Sequence, residues 1–135
     1  LGTANDPKAI PGGGGSGTPT IIRYTITISN AAAAATATLT NIQDAIPLAM
    51  ASLFSDGSDA NNALSGANNV RITDPALTSV FCQADANAGD GCVNNAGAGS
   101  DELLVDLVTI AGATALTNSL AAGESLSIEF DVELP

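Results

Sequence analysis

Apolar and polar side chains alternate along two long stretches, one near the start of the chain and one at its end. From residue 22 to residue 29 the even positions carry Ile, Tyr, Ile and Ile, and the odd positions carry Arg, Thr, Thr and Ser. Within 126–134, Leu, Ile, Phe, Val and Leu alternate with Ser, Glu, Asp and Glu. A period of two is typical of a strand with one buried and one solvated face. The stretches Ile21–Asn30 and Leu126–Leu134 therefore predict two long strands that share a core.

Shorter β segments and turns fill the interval between these strands. Thr36–Asp44 resumes the alternation, and Ile42 breaks its parity, which predicts a β-bulge near Asn41. Ala31–Ala35 favours helix locally, but so short a run does not nucleate an isolated helix, so we expect a turn or a strand edge. The other predicted elements are a strand or helical turn at Leu48–Phe54, short strands at Val70–Thr73 and Leu77–Cys82, and loops at Ser55–Asn69 and Gln83–Ser100.

The segment Glu102–Ala111 differs from the others because it is apolar on both parities. Its apolar positions are, on one face, Leu103, Val105 and Leu107, and, on the other, Leu104, Val108 and Ile110. A strand that is apolar on both faces is either buried on both sides or covered by another chain. Two interpretations stay open: ordinary burial, or a subunit contact through Leu104, Val108 and Ile110.

About seven strand segments, separated by turn residues and without a convincing helix, predict an all-β fold. We expect an antiparallel Greek-key β-sandwich of immunoglobulin-like or related type. The chain has 135 residues, a length typical of one domain. Pro7, Pro11 and the glycine-rich run Gly12–Gly17 predict an extended lead-in and a loop over residues 1–20. The single β-sandwich domain is predicted over residues 21–135.

Charge narrows the range of partners. Three basic residues stand against fourteen acidic ones, and the net charge at pH 7 is −11. Nucleic-acid binding depends on Lys and Arg that neutralise phosphates, so nucleic acid is not an expected partner. No apolar run approaches the ~20 residues of a membrane span, and we expect no membrane insertion. The acidic excess is explained by solubility or by divalent cations.

The two cysteines, Cys82 and Cys92, lie in a stretch rich in Gly, Asn and Asp. Their even number and close spacing predict a disulfide formed in an oxidising compartment, which would contribute about 2–3 kcal/mol. A zinc site would need a second Cys pair or His, and the chain has neither. The first residue is Leu and no signal peptide is visible, so we expect a secreted chain whose signal peptide has been removed, located outside the cell or on its surface.

Four short motifs resemble a known family. They are Asn5–Gly12, the strand Ile22–Asn30, the stretch Ala37–Asp44 with Ile46-Pro47, and Leu120–Phe130. In order and spacing they resemble the conserved-repeat domain of unknown function found in bacterial and archaeal surface proteins. The resemblance implies an immunoglobulin-like sandwich that serves as a structural or adhesive module, with no catalytic residues. The chain departs from the family pattern in a longer turn at Gly13–Thr20 and in lacking a strand before Asn5, which implies a sheet edge or groove without its partner.

Candidate chemistry is sparse. The chain contains no His, which excludes Ser-His-Asp, Cys-His and His-metal arrangements. A sugar site normally carries Trp and Tyr platforms, and the chain has no Trp and one Tyr, so we expect no enzymatic activity and no cofactor. Oxygen ligands in the two loops are candidates for calcium, and they equally suit turn geometry. The calcium candidates are Asp56, Asp59, Asp85, Asn87 and Asp90.

These observations favour a structural subunit of a pilus-like extracellular filament or surface layer. An open sheet edge is a template for a strand of another copy, so we expect a homo-polymer built by strand exchange or β-augmentation. The donor is either Leu1–Ile10 or Leu126–Leu134. The alternative is a monomeric adhesive or spacer module cut from a longer cell-surface protein, and a third hypothesis is an enzyme accessory or ligand-binding domain. The many Ser and Thr residues also admit O-linked glycan.

Overall fold

The structure, a computed structural model, describes residues 8–10, 20–47, 52–53, 70–84, 88–94 and 100–134. Within these ranges it contains eleven β-strands, one α-helix and a short 3-10 turn at Ala88–Asp90. The strands are β1 Lys8–Ile10, β2 Thr20–Ser29, β3 Ala37–Thr38, β4 Asn41–Pro47, β5 Ser52–Leu53, β6 Val70–Thr73, β7 Ser79–Cys82, β8 Cys92–Asn94, β9 Ser100–Asp106, β10 Ser119–Leu120 and β11 Ser125–Leu134. The helix α1 spans Leu107–Ala113. The strand prediction missed β1, β8 and β10, which are only two or three residues long.

The strands form three antiparallel sheets, and the predicted all-β fold is confirmed. The large sheet has the order β1-β2-β11-β6-β7, with β5 also paired to β11. The small sheet has the order β4-β9-β8, and β3 pairs with β10 in a two-stranded sheet. Strand β11 pairs with β2 along ten residues and with both β6 and β5 on its other side. The two strands predicted with most support therefore lie side by side at the centre of the large sheet.

The large and small sheets share one core, as in a sandwich. The even positions of β11 are Leu126, Ile128, Phe130 and Val132, each at most 1% exposed. The same cluster contains Val70 and Ile72 of β6 and, from the small sheet, Leu103 and Val105 of β9. Aliphatic side chains of a few strands thus supply the core, as a composition with 3% aromatics requires.

The parity slip before Ile42 has a different cause from the predicted bulge. Strand β3 pairs with β10, whereas β4 pairs with β9, so the chain changes sheets between Thr38 and Asn41. The two connecting residues are tied to both neighbours. Leu39 N donates to Asn118 O at 2.8 Å, and Leu107 N donates to Thr40 O at 2.9 Å. The bulge prediction was wrong because a change of sheet shifts side-chain parity in the same way as an inserted residue.

The alanine run forms a turn, as one of the two interpretations predicted. Ala34 N donates to Ala31 O at 3.0 Å. The Asn30 side-chain amide donates to Ala35 O at 2.8 Å and to Leu120 O at 3.0 Å. Asn30 therefore holds the end of β2, the turn and β10 together.

The predicted strand Glu102–Ala111 ends at Asp106, and the residues after it form α1. Asp106 caps the helix, because its Oδ1 accepts hydrogen bonds from Val108 N and Thr109 N, both at 3.0 Å. Leu107 is buried, and an apolar residue at this position fits a continuing strand and a helix equally well. The sequence pattern therefore did not show that the strand ends at Asp106. Among the described residues no helix is long and apolar enough to cross a membrane.

Candidate functional site

The predicted disulfide is present and joins the two sheets. Cys82 ends β7 and Cys92 begins β8, with their Cα atoms 5.8 Å apart and both side chains buried. Strand β7 is the last strand of the large sheet and β8 the last of the small one. The bond therefore closes one side of the sandwich.

Of the calcium candidates, only Asp90 lies in the described part of the chain; Asp56, Asp59, Asp85 and Asn87 lie outside it. The Asp90 Oδ2 accepts a hydrogen bond from Gln83 N at 2.7 Å, and its Oδ1 accepts one from Cys92 N at 3.1 Å. The carboxylate thus braces the disulfide loop. No group of three or more metal-ligating side chains occurs within the described ranges.

The three residues predicted for a subunit contact lie on two different elements. Leu104 is half-buried on β9, and Val108 on α1 is 53% exposed. Ile110, also on α1, is 3% exposed and packs within the chain's own core. Strand β9 ends before Val108, so the three residues do not lie on one face of a strand. A subunit contact through Leu104 and Val108 stays a prediction.

A short strand occupies the far edge of β2, within residues predicted as an extended lead-in. In β1, Lys8 pairs with Arg23, Ala9 with Ile22 and Ile10 with Ile21. This ladder is three residues long, whereas β2 pairs with β11 over ten. The sequence pattern did not predict this strand, because it is flanked by Pro7 and Pro11 and proline favours strand ends and turns.

The core-facing side of β2 is less buried than its neighbour. Its side chains at Ile22, Tyr24, Ile26 and Ile28 pack against the core but are half-buried, whereas the apolar side chains at 126–132 of β11 are fully buried. We call Ile22, Tyr24, Ile26 and Ile28 the β2 strip. Among the described residues, the small sheet has three strands and the path through the large sheet has five. Within the strip, the Tyr24 ring stacks on Phe130 of β11 with ring centroids 5.7 Å apart.

The outer face of β2 carries an ion pair that the strand pattern did not predict. Asp131 was expected on the solvated face of β11, yet it is 0% exposed. Arg23 donates to both of its carboxylate oxygens, and this bonding raises the pKa of Arg23 above its ordinary value. Strand β6 pairs with β11 as far as Phe130, and β5 pairs with it from Val132, so Asp131 lies between these two ladders. Burial here depends on that long-range pairing.

The edge of the small sheet carries an inward-facing acid. Asp44 on β4 pairs with Leu103, two positions from the pair of Ile42 with Val105, so Asp44 shares the core-facing parity of Ile42. Burial raises the pKa of Asp44 above its ordinary value. An inward-pointing charge on an edge strand disfavours the addition of another strand. The β4 edge of the small sheet is therefore a poor site for the addition of another strand.

Comparison of the chain with family models, curated proteins and solved structures gives no match.

Proposed function

We propose that this chain is a structural subunit of an extracellular, pilus-like filament or surface layer, built on an immunoglobulin-like sandwich. Copies join by strand exchange, in which β1 of one copy pairs with β2 of the next. The half-buried β2 strip carries the proposal, because its apolar side chains lie on the strand next to β1, the strand at the end of the large sheet. Strand addition supplies main-chain hydrogen bonds along the edge and covers side chains of alternate parity.

Of the two candidate donors, β1 fits better than β11. Strand β11 pairs with β2, β5 and β6 and places Leu126, Ile128, Phe130 and Val132 in the core. Its removal would leave a large cavity in the donating copy, and each lost large side chain costs about 2–5 kcal/mol. Strand β1 contributes a ladder of three residues at the edge, so its exchange disturbs little.

The proposed partner of β2 is a second copy of this chain, because β1 already pairs in register with residues 21–23 of β2. Residues 11–19 connect β1 to β2, and five of the six residues from 12 to 17 are glycine. Nine residues reach at most ~30 Å when extended, enough for β1 to leave its own edge for a neighbouring one. Donation from each copy to the next does not close on itself, so it produces a fibre.

The disulfide supports an extracellular location. Structural disulfides persist in oxidising compartments and are rare in the cytosol. Here the bond closes the β7–β8 side of the sandwich, the side opposite the proposed exchange.

Engineered cross-links test the exchange directly. Ile10 and Ile21 pair across β1 and β2, so an I10C/I21C variant oxidises either within one chain or between chains. We expect a ladder of covalent multimers on non-reducing gels that collapses on reduction, and filaments in electron micrographs of the unmodified chain. The matched control is S29C/S125C, because these hydroxyls lie 2.8 Å apart across β2 and β11, which do not exchange.

The control pair should give a cross-linked monomer only. If I10C/I21C also gives only monomer, β1 stays on its own chain, and the chain acts as the monomeric adhesive or spacer module instead. If both pairs give ladders, the cross-linking is not specific to β1, and the proposed exchange is wrong.

A further inference from the structure

Strand β7 has a free side at the end of the large sheet. It pairs with β6 on one side, and no described strand pairs with the other. Asp74 N donates to Thr78 O at 3.0 Å, so these two residues form a hydrogen-bonded pair at the start of the β6–β7 ladder. Hydrogen-bonded and non-hydrogen-bonded pairs alternate along an antiparallel ladder. Ser79 and Phe81 therefore direct their N–H and C=O groups away from β6.

A single carboxylate limits how far this open edge extends. Asp90 Oδ2 accepts a hydrogen bond from Gln83 N, the residue after β7, and its Oδ1 accepts one from Cys92 N at the edge of β8. The open edge of the large sheet therefore consists of residues 79–81.

The edges at β1 and β4 carry features that disfavour the addition of a strand, whereas residues 79–81 do not. Strand β1 is flanked by Pro7 and Pro11, and β4 carries the inward-facing Asp44. Residues 79–81 contain neither proline nor a charged residue. The β7 edge is thus suited to pairing with another strand.

Two exposed apolar side chains lie beside this open edge. Phe81 is 40% exposed, and Leu77 in the adjoining turn is 82% exposed. Leu77 also has φ at 63°, a left-handed conformation that is unfavourable for a residue with a Cβ atom. Among the described residues, the other exposed large apolar side chain is Val108 on α1. Exposed apolar side chains at an open sheet edge favour association with another strand.

The charges near the edge are compensated, which favours a partner of like charge. Arg71, which pairs with Phe81, forms an ion pair with Glu129, and both oxygens of the buried Asp74 accept backbone N–H groups. Two chains that each carry a net charge of −11 repel each other least where the charges are compensated. A basic partner would instead be attracted to surfaces with uncompensated acids.

We propose that the β7 edges of two copies of this chain pair in antiparallel orientation about a two-fold axis at Val80. Ser79 of each copy then lies opposite Phe81 of the other, and each such pair exchanges both of its N–H···O bonds. Val80 lies opposite Val80, so the inner and outer faces of the sheet continue across the junction.

Asp90 selects this register over its neighbour. An axis at Phe81 would place Ser79 opposite Gln83, whose N–H already donates to Asp90. With the axis at Val80, Gln83 of one copy lies opposite Leu77 of the other. The Gln83 positions of the two copies are then about 20 Å apart along the strands, so the Asp90 carboxylates beside them are separated by more than the ~8 Å Debye length.

This pairing is independent of the proposed strand exchange, because β7 and β1 lie at opposite ends of the large sheet. A two-fold contact closes after two copies, whereas the exchange continues from copy to copy. Acting together, the two contacts join two fibres side by side. The β7 contact is short, so its repetition along the fibres supplies the avidity.

Photocross-linking of the purified full chain tests the pairing. One variant carries p-benzoylphenylalanine in place of Phe81, and the control carries it in place of the exposed Val108. At chain concentrations up to about 1 mM, which populate pairs of millimolar Kd, we expect a covalent dimer from the variant at position 81 on reducing, denaturing gels. Mass spectrometry should map its link to residues 77–83 of the second copy, and the control should give no link to these residues.

A second substitution tests the hydrogen bonds of the edge. Adding S79P to the photoreactive variant removes an outward N–H and leaves the ladder with β6 intact. The dimer yield should fall about tenfold or more, because each copy loses one hydrogen bond. Circular dichroism checks that this variant is folded, and S79K, which places a charge on the edge, replaces it if it is not.

Four outcomes would overturn the proposal: no dimer, a link outside residues 77–83, covalent species larger than a dimer, or a yield that the substitution at position 79 leaves unchanged. The ladder from I10C/I21C is scored separately, so the edge pairing and the strand exchange can each fail alone.

Discussion

Arg23 and Asp131 face each other across the two central strands in a two-point ion pair. Arg23 Nε lies 2.8 Å from Asp131 Oδ1, and Nη2 lies 2.7 Å from Oδ2. The carboxylate side chain is 1% exposed and the guanidinium side chain 16%. The pair fixes the register of β2 on β11 at the residue where β1 also attaches, because Arg23 pairs with Lys8 in β1.

Removing the carboxylate of this ion pair should destabilise the fold more than removing the carboxylate of the Arg71–Glu129 pair. D131A leaves an uncompensated guanidinium at a nearly buried position, and we expect a loss of about 2–3 kcal/mol in the free energy of unfolding. The matched control is E129A, which removes the partner of Arg71 in a more exposed pair and should cost less than about 1 kcal/mol. Urea denaturation measures both. Equal losses for the two variants would contradict the special role of Asp131.

Gly91 should be intolerant of a side chain. Its φ is +88°, and a Cβ atom there would lie 2.5 Å from Ile110 Cγ1 and 3.1 Å from Asp106 O. Backbone strain and overpacking together predict that G91A lowers the unfolding free energy by about 2–4 kcal/mol. The control is G112A in α1, where a Cβ meets nothing within 4 Å. G112A should be neutral or stabilising by about 0.5–1 kcal/mol, because Gly is unfavourable inside a helix. Thermal melts of both variants measure the two changes in stability, and equal stability of G91A and G112A would contradict the prediction.

The Asp106 cap should make part of the stability depend on acid pH. Hydrogen bonds from the backbone and the side chain of Thr109 lower the pKa of Asp106 below its ordinary 3.8. Its stabilising contribution is therefore complete above pH 3.8 and is lost as pH falls through the lowered value. We expect D106A to cost about 1 kcal/mol at pH 7 and the difference from the parent chain to shrink below pH 3.8.

D106N provides the control for the titration, because Asn also caps helices but carries no charge. Its stability relative to D106A should not change between pH 7 and pH 2.5, about one unit beyond the ordinary Asp range. A D106A deficit that is constant over the same pH range would show that the carboxylate charge is unimportant at this cap.

Asp44 should have the opposite pH signature. Burial raises its pKa, so the stability associated with its protonated form is complete below pH 3.8 and is lost as pH rises through the raised value. D44N removes this loss, and we expect it to be more stable than the parent chain at pH 7 and equal to it in acid. The control is N41D, which adds a carboxylate at an exposed position of the same strand and should show little pH-dependent difference. A parent chain that is at least as stable as D44N at pH 7 would contradict the burial argument.

Local pattern was sufficient for the elements that obey it. The alternation in residues 22–29 and 126–134 predicted β2 and β11 and the inward parity of their Ile, Leu, Phe and Val side chains, since the two-residue period of a strand is a property of neighbouring residues. The disulfide between Cys82 and Cys92 was also predictable from spacing and composition. The calcium, subunit-contact and glycan predictions stay predictions.

Long-range pairing settled the rest. Asp131 has the sequence context of a solvated residue but is buried, and its ion-pair partner, Arg23, lies 108 positions away along the chain. The chain changes sheets after Thr38 and enters a helix after Asp106, two events that a period-two pattern does not distinguish from a bulge or a continuing strand. The alternation of apolar and polar residues shows which side of a strand is apolar. Contacts between residues distant along the chain decide which strand lies beside it and how far the opposite sheet extends over it.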